Sequence, residues 1–171
     1  TLNITEKDIV NGSAQIPKYR ALYIDNIAKN NSSDITIKLD NDFREIVRNI
    51  KDIDDTKFEE PEELKGVLRS YQKTGFNWLK TLDKYGFGGI LADDMGLGKT
   101  IQIIALLLDE KKRTGKTSIV VCPSSLYINW EKEISRFSNS IKTLIISGNA
   151  EQRENLIKSI SDYDVIITSY D

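Results

Sequence analysis

Apolar residues in the second half of the chain follow two alternating patterns. Four short apolar runs are typical of buried strands, and longer segments between them repeat apolar residues every three or four positions, as on one face of a helix. Strands that alternate with helices of about ten to fifteen residues predict an α/β fold with a parallel sheet flanked by helices. The predicted strands are Gly89–Ala92, Thr117–Cys122, Lys142–Ser147 and Asp164–Thr168.

The helices between these strands are bounded by polar caps and by glycine. The segment Lys99–Arg113 is apolar on nearly all sides, which predicts a helix buried against the sheet. The predicted helices are Tyr71–Tyr85 with Ser70 as its cap, Lys99–Arg113, a segment capped by Ser124 or Ser125 that ends at Phe137, and Glu151–Ile160.

The first third of the chain carries weaker patterns, which predict a small, mostly helical extension. Its predicted elements are a helix over Lys18–Lys29, a short strand over Ile35–Leu39 and a helix capped by Asp40 that extends to Ile50. The acidic run Lys51–Glu63 is most simply a solvated linker, with a contact to a basic partner as the alternative. We therefore expect residues 1–62 to be an extension or connector from an upstream domain, and residues 63–171 to begin a separate lobe.

The stretch I-L-A-D-D-M-G-L-G-K-T, from Ile90 to Thr100, joins a predicted strand to the most apolar helix. Its two glycines, Gly96 and Gly98, let backbone N–H groups curl around a phosphate, and the helix N-terminus adds the positive end of its dipole. Lys99 is placed to reach the β- and γ-phosphates, and the Thr100 hydroxyl to hold Mg²⁺. A glycine-rich turn that only caps a core helix is the alternative, but a buried helix has little reason to begin with lysine.

This loop departs from the full G-x-x-x-x-G-K-T pattern, because Asp93 stands where the first glycine is expected. Asp93 and Asp94 should repel a phosphate unless magnesium or a basic side chain, such as that of Arg69, neutralises them.

Composition removes several other classes of site. The sequence contains no histidine and a single cysteine, Cys122, so histidine-based triads, histidine metal sites and internal disulfides are excluded within it. Cys122 follows three apolar residues and is expected to be a buried strand thiol. The net charge of −2 does not indicate nucleic-acid binding. There is no long apolar run or leader pattern, and we expect the chain to be part of a larger protein.

Gln72 lies one helix before the phosphate loop. Its side-chain amide donates and accepts together, which suits the N6 and N7 edge of adenine and would favour ATP over GTP. The alternative is an exposed helix glutamine without a ligand.

The run L-R-S-Y-Q-K-T-G-F-N-W-L, followed by G-G-I-L-A-D-D-M-G-L-G-K-T, resembles the N-terminal motor lobe of the Swi/Snf-type ATPases of helicase superfamily two. The later runs V-V-C-P-S-S-L-Y-I-N-W-E-K-E-I and D-V-I-I-T-S-Y-D are similar to further motifs of that family. The resemblance covers about residues 64 to 171, and P-K-Y-R-A-L-Y-I-D resembles the connector of bacterial members.

This resemblance implies a RecA-like phosphate-loop lobe and a set of site residues. Lys99 and Thr100 are the implied catalytic residues, and Thr100 is the implied metal ligand. The implied nucleotide-binding residues are Gln72, Asp93, Asp94, Met95, Gly96, Leu97, Gly98, Lys99 and Thr100. The residues implied to contact the DNA backbone are Ser124, Ser125, Asn129 and Trp130 in one segment, and Thr168, Ser169 and Tyr170 in another. Ser124 as a helix cap and Trp130 as a core aromatic are the alternatives.

The resemblance further implies a DNA-dependent ATP hydrolase that uses ATP and Mg²⁺, moves along double-stranded DNA and remodels protein–DNA complexes. Its partners would be DNA, contacted without sequence specificity, and a second RecA-like lobe of the same parent. A cytoplasmic protein, nucleoid-associated if bacterial, is expected. In this family an acidic D-E-x-x motif holds magnesium and positions water, and it is expected after Asp171; further arginines come from the second lobe. This chain alone should therefore not turn over ATP. Alternatives are a nucleotide-dependent scaffold that has lost its ATPase activity and a small-molecule kinase.

Overall fold

The computed structural model describes residues 9–10, 13–14, 20–30, 39, 41–51 and 58–170. The chain divides into two compact units. Residues 1–56 and 80–90 form the first, and residues 57–79 and 91–171 form the second.

The first unit is small and its described elements are mostly helical, as expected. Its elements are the antiparallel pair β1 (Ile9–Val10) and β2 (Ser13–Ala14), helix α1 (Ala21–Asn30) and helix α2 (Asn41–Lys51). Ala21 and Val47 are buried. The predicted strand Ile35–Leu39 lies outside the described residues except for Leu39, which is not in a strand, and the predicted cap Asp40 also lies outside them.

The second unit carries the α/β pattern. Its elements are a 3₁₀ turn (Glu62–Leu64), helix α3 (Ser70–Tyr85, whose last part from Lys80 belongs to the first unit), helix α4 (Lys99–Thr114), strand β3 (Ser118–Val121), a 3₁₀ turn (Ser124–Leu126), helix α5 (Tyr127–Phe137), strand β4 (Thr143–Ile145), helix α6 (Ala150–Ile157), a 3₁₀ turn (Ile160–Asp162) and strand β5 (Val165–Thr168).

The sheet is parallel, with β5 between β3 and β4. Ser118 pairs with Val165 and Val121 with Thr168, while Thr143 also pairs with Val165. One face of the sheet packs with the helices into a single apolar core that includes Phe76 of α3, Ile104 and Ala105 of α4, Ile134 of α5 and Ile167 of β5. The parallel sheet flanked by helices that the pattern predicts is confirmed.

The predicted first strand, Gly89–Ala92, is wrong, because this segment has no regular secondary structure. Ile90 is 85% exposed, whereas a residue of a central strand would be covered. A strand is stable only when a neighbour completes its hydrogen-bond ladder, and among the described residues the sheet has three strands that pair with one another and not with this segment. Apolar residues alone therefore did not determine a strand.

The last part of the acidic run packs onto the second unit. Phe58 packs against the core, and its N–H donates to Asn77 Oδ1 at 3.1 Å. Glu60 forms an ion pair with Lys73 at 2.6 Å. These contacts are not those of a solvated linker, so residues 58–63 are part of the folded lobe.

Glu63 closes this segment onto the loop after α5. Its carboxylate accepts hydrogen bonds from the Asn139 N–H, at 2.8 Å, and from the Ser140 hydroxyl. Partial burial raises the pKa of Glu63, but the bonds from Ser140 and Asn139 outweigh it and hold that pKa below its usual range.

The C-terminal end of α4 is anchored to the N-terminal ends of β4 and β5. Lys111 Nζ lies 2.9 Å from Asp164 Oδ2 and also donates to the Ser140 carbonyl. The Lys142 N–H donates to the same Asp164 oxygen at 2.8 Å. Gly115 ends the helix in the left-handed region, with its N–H bonded to the Lys111 carbonyl at 3.0 Å.

Candidate functional site

The predicted phosphate loop, residues 93–98, contains a turn whose backbone angles only glycine adopts easily. Gly96 and Gly98 have φ of +83° and +76°, and Gly98 is the N-cap of α4. No side chain caps this helix end, so the first backbone N–H groups of α4 have no side-chain acceptor. An N-terminus of this kind is a binding site for an anion such as a phosphate.

Lys99 folds back over the loop that precedes it. Its ammonium donates to the carbonyl oxygens of Asp93, at 2.7 Å, and Asp94, at 2.8 Å. The two aspartates thus meet the lysine through their backbones, not through their carboxylates. The ammonium lies beside the helix N-terminus, and the two positive groups together favour a polyanionic ligand.

The start of α3 is hydrogen-bonded to the same loop. Gln72 Nε2 donates to the Leu97 carbonyl at 3.0 Å, and the Tyr71 hydroxyl donates to it at 2.9 Å. Gln72 Oε1 accepts from the Arg69 N–H at 2.9 Å, which satisfies the first turn of the helix. Gln72 is buried, so it is not the exposed helix glutamine that the sequence left open.

The close approach of Gln72 gives Gly98 a second reason to be glycine. A Cβ at residue 98 would lie 2.5 Å from Gln72 Nε2 and 3.3 Å from Ile101 Cγ2. A side chain there would push apart the start of α3 and the start of α4.

The carboxylate of Asp93 points to Gln102 of α4. Gln102 Nε2 lies 2.8 Å from Asp93 Oδ2, and Gln102 is fully buried. An amide partner therefore holds this acidic group, and not Arg69, the basic side chain that the sequence offered as a candidate, so the Asp93 carboxylate is directed toward α4.

A cavity of about 540 Å³ opens beside the loop. This volume is within the range of about 300–1,000 Å³ that small-molecule sites occupy. Five predicted nucleotide-binding residues line it: Gln72, Gly96, Gly98, Lys99 and Thr100. The other four, Asp93, Asp94, Met95 and Leu97, belong to the loop but are not among the residues that line the cavity, and the Met95 side chain is 96% exposed.

The sequence reasoning missed several contributors to this site. Tyr71 lines the cavity from α3, and Arg69, considered above only as a partner of the aspartates, lines it from just before that helix. Glu133 and Arg136 line it from α5, where Arg136 Nη1 lies 3.8 Å from Glu133 Oε1. Gln102, which interrupts the apolar run of α4, is a further contributor through its bond to Asp93. A single polar residue within such a run was the available signal, because a fully buried amide requires a partner.

The residues present fit a magnesium-bound triphosphate. The Lys99 ammonium and the uncapped N–H groups of α4 suit the phosphates, and the Thr100 hydroxyl suits the metal ion, whereas no set of carboxylates in the described part of the chain surrounds it. Among the residues that the structure describes, no group of three or more Cys, Asp or Glu side chains could hold a metal ion by itself. Thr100 remains the predicted metal ligand, as one hydroxyl that completes a coordination shell shared with phosphate oxygens.

The two predicted DNA segments follow neighbouring strands of the sheet. Because β3 and β5 are parallel and Val121 pairs with Thr168, the segments after them begin at the same edge of the sheet. Ser124, Ser125 and Asn129 are exposed, and Tyr170 is 73% exposed.

Five of the predicted DNA contacts have surroundings that bear on their role. Neither Ser124 nor Ser125 caps α5, because they lie in the 3₁₀ turn before it and no side chain caps that helix. Trp130 is partly buried against the core, which favours a packing role. The Thr168 hydroxyl donates to the Ile146 carbonyl at 3.3 Å, and Ser169 is only half-buried.

Cys122, at the end of β3, is buried, as its sequence context predicts. Burial raises the pKa of the thiol, so it stays protonated near neutral pH and is a poor nucleophile. In the part of the chain that the structure describes, no helix is long and apolar enough to cross a membrane.

Comparisons with known proteins indicate the family of the chain. Residues 71–171 match the model of the SNF2-related domain, and residues 1–61 match that of the bacterial SNF2 helicase-associated domain. The TATA-binding protein-associated factor MOT1 of Saccharomyces cerevisiae is 37% identical over 142 residues, which are 75% of this chain and 8% of that protein. A Mycoplasma pneumoniae protein described as an uncharacterized ATP-dependent helicase is 35% identical over 159 residues, 91% of this chain and 15% of that protein.

A solved structure has a similar fold. The Sulfolobus solfataricus SWI2/SNF2 ATPase core in complex with double-stranded DNA matches with a TM-score of 0.59 and 41% identity, over 67% of this chain and 24% of that one. The chain therefore spans a small part of the length of the proteins that it matches.

Proposed function

The chain belongs to the SNF2-related family, and we propose that its parent protein is an ATP-driven motor that moves along double-stranded DNA and remodels protein–DNA complexes. One observation carries this proposal: Lys99 and Thr100 begin an uncapped helix at the wall of a cavity large enough for a nucleotide. ATP hydrolysis would supply the energy for movement.

The nucleotide site is proposed at this cavity. Gly96, Gly98 and the N-terminus of α4 bind the phosphates, Lys99 offsets the charge that develops on the transferred group, and Thr100 coordinates Mg²⁺. Lys99 is supported in this role by its present partners, because two neutral carbonyls are readily exchanged for phosphate oxygens.

Gln72 is proposed to read adenine. Its Nε2 donates to the Leu97 carbonyl and to the Tyr71 hydroxyl, and its Oε1 accepts from the Arg69 N–H. Pairing with the base would take one of the two N–H bonds, while Oε1 has a second lone pair for the base. Its position in the cavity wall supports the assignment.

Backbone contact with DNA is proposed at the shared edge of β3 and β5. Ser124, Ser125, Asn129 and Tyr170 are the best candidates because they are exposed, and Thr168 and Ser169 contribute to the same edge. Hydroxyls and amides position a phosphate backbone without reading bases, so binding is expected to be independent of sequence. The SWI2/SNF2 core solved with double-stranded DNA supports this proposal.

We expect the 171-residue chain by itself to lack ATP turnover. Its one adjacent Asp-Glu pair, Asp109 and Glu110, lies ten residues along α4 from Lys99, a distance of about 15 Å along the axis. Both carboxylates approach Arg113, so they hold neither a metal nor a water at the phosphates. The second lobe of the parent is the proposed source of the missing arginines.

The test measures ATP turnover by the full-length parent without DNA, with single-stranded DNA and with double-stranded DNA. Lys99→Ala is the active-site variant, and Lys112→Ala is the matched control, because Lys112 is exposed at the other end of the same helix. Strong stimulation by double-stranded DNA that Lys99→Ala abolishes and Lys112→Ala preserves supports a DNA-tracking motor.

The other outcomes are equally decisive. Equal turnover under all three conditions would refute the DNA part of the proposal and leave an ATPase of another target. No turnover under any condition would refute the motor and favour the nucleotide-dependent scaffold.

A further inference from the structure

Gln102 is a polar residue in the most apolar region of the lobe. It is fully buried, and its neighbours Ile101, Ile104 and Ala105 are core residues. Burying an amide costs free energy unless it is hydrogen-bonded, so its position requires a compensating interaction.

The Nε2 atom of Gln102 contacts both ends of the phosphate loop. It lies 2.8 Å from Asp93 Oδ2, at the start of the loop, and 3.4 Å from the Gly98 carbonyl, at its end. The orientation of the amide follows from charge, because the reverse orientation would place its carbonyl oxygen against the Asp93 carboxylate.

The other end of the amide, Oε1, is buried without a hydrogen-bond partner. It lies against Gly75 of α3, where a Cβ would be only 1.8 Å away. Glycine inside a helix is less stabilising than alanine, and here a glycine stands where Gln102 needs the space.

We propose that Gln102 is a positioning residue for the phosphate loop, and that Gly75 is the opening in α3 that admits it. The amide fixes the Asp93 carboxylate inside the lobe, directed away from the phosphate, and holds the loop at the span that suits the ligand. Its effect on nucleotide affinity rests on the proposed ATP function, while its effect on the loop does not.

The test uses the full-length parent and a reversal of the hydrogen bond. Gln102→Glu places a carboxylate against the Asp93 carboxylate, and Asp93→Asn/Gln102→Glu restores the bond with donor and acceptor exchanged. Asp93→Ala removes the acceptor from the partly exposed side of the pair, so it keeps the test open if a charge at the buried position prevents folding.

Two quantities are measured on each variant. Hydrogen–deuterium exchange of the amides of residues 94–98 reports loop order without any ligand, and titration with a fluorescent ATP analogue reports affinity. We expect exchange in this loop to accelerate, and affinity to fall about tenfold or more, in Gln102→Glu and Asp93→Ala. The double variant should recover most of the protection of the loop from exchange and most of the affinity for the ATP analogue.

A pH series distinguishes positioning from general damage. A shared proton between two carboxylates restores a hydrogen bond, so the defect of Gln102→Glu should shrink as the pH falls, whereas that of Asp93→Ala should not. Loop exchange and affinity that remain those of the original protein in the folded variants would overturn the proposal, as would a double variant no better than Gln102→Glu.

The two proposals fail in different ways. If the unsubstituted protein binds no ATP analogue, the proposed function fails, but the exchange measurement still decides whether Gln102 positions the loop. If ATP binds and the variants bind it equally well, only the inference about Gln102 fails.

Discussion

Gln72 and Leu97 are 25 residues apart in sequence, and the side-chain amide of the first donates to the backbone carbonyl of the second across 3.0 Å. This bond connects the residue proposed to read the base with the loop proposed to hold the phosphates. The two ends of one nucleotide would therefore act on a single hydrogen-bonded unit. The Tyr71 hydroxyl also donates to the Leu97 carbonyl and accepts from Gln72 Nε2, so it belongs to the same unit.

Gly98→Ala is expected to destabilise the lobe more than Gly115→Ala. Both glycines have positive φ, but only at Gly98 would a Cβ meet another atom within 4 Å, the nearest being Gln72 Nε2. Each substitution carries the left-handed strain of about 1–2 kcal/mol, and Gly98→Ala adds the clash. Urea denaturation measures the free energy of unfolding of both variants. Equal losses would contradict the predicted clash between a Cβ at residue 98 and Gln72.

Asp164→Asn is expected to make the free energy of unfolding depend less on pH in the acid range. Burial raises the pKa of Asp164, but the Lys142 N–H and the Lys111 ammonium outweigh it and hold the pKa below its usual value. A carboxyl with a lowered pKa in the folded state stabilises the fold above the unfolded pKa of about 4, and this contribution disappears as the pH falls through the folded pKa.

The measurement is the free energy of unfolding of both proteins at a series of pH values from 7 down to 3. The original protein should lose stability more steeply than Asp164→Asn, and it should start from a higher value at pH 7. Parallel profiles would contradict the role given to this ion pair. Asp162→Asn is a suitable control, because Asp162 is an exposed carboxyl on the same connection.

Asn129→Ala is expected to weaken DNA binding, whereas Trp130→Ala is expected to lower thermal stability. Asn129 is exposed on the proposed DNA edge, so its loss should weaken DNA binding without lowering the melting temperature. Trp130 is partly buried against the core, so its loss should lower the melting temperature, with a cost approaching about 3 kcal/mol. Melting curves and DNA titrations of the folded variants separate the two, and the reverse pattern would exchange their roles.

Cys122 should not react with a thiol reagent in the folded protein. It is buried, and burial raises the pKa of its thiol, so both access and the thiolate fraction are low. Labelling with a chromogenic disulfide should be slow in buffer and rapid in denaturing urea. Fast labelling under native conditions would show that the end of β3 opens.

The sequence predicted what depends on local pattern. The glycine turn before α4, the start of α4 at Lys99 and the strands β3 and β5 are encoded by neighbouring residues, and the structure has them within one or two positions of their predicted bounds. Gly89–Ala92 failed because a strand also needs a partner, and apolar periodicity does not say whether one is available.

The partners of the site residues could not be predicted in the same way. That Asp93 accepts from Gln102 and not from Arg69, and that Gln102 needs the space at Gly75, depend on how α3 crosses α4. Sequence spacing does not contain such information. Ser124 is a smaller case, because a serine ahead of a helix predicts a cap, but a 3₁₀ turn intervenes.

Lys111 anchors the C-terminal end of α4. The helix has 16 residues and is about 24 Å long, and Lys111 joins its last turn to Ser140 and Asp164, which lie just before β4 and β5. Because this end is bonded to the base of the sheet and Lys99 lies at the opposite end, we expect a ligand at Lys99 to displace the first turn of the helix more than its last turn.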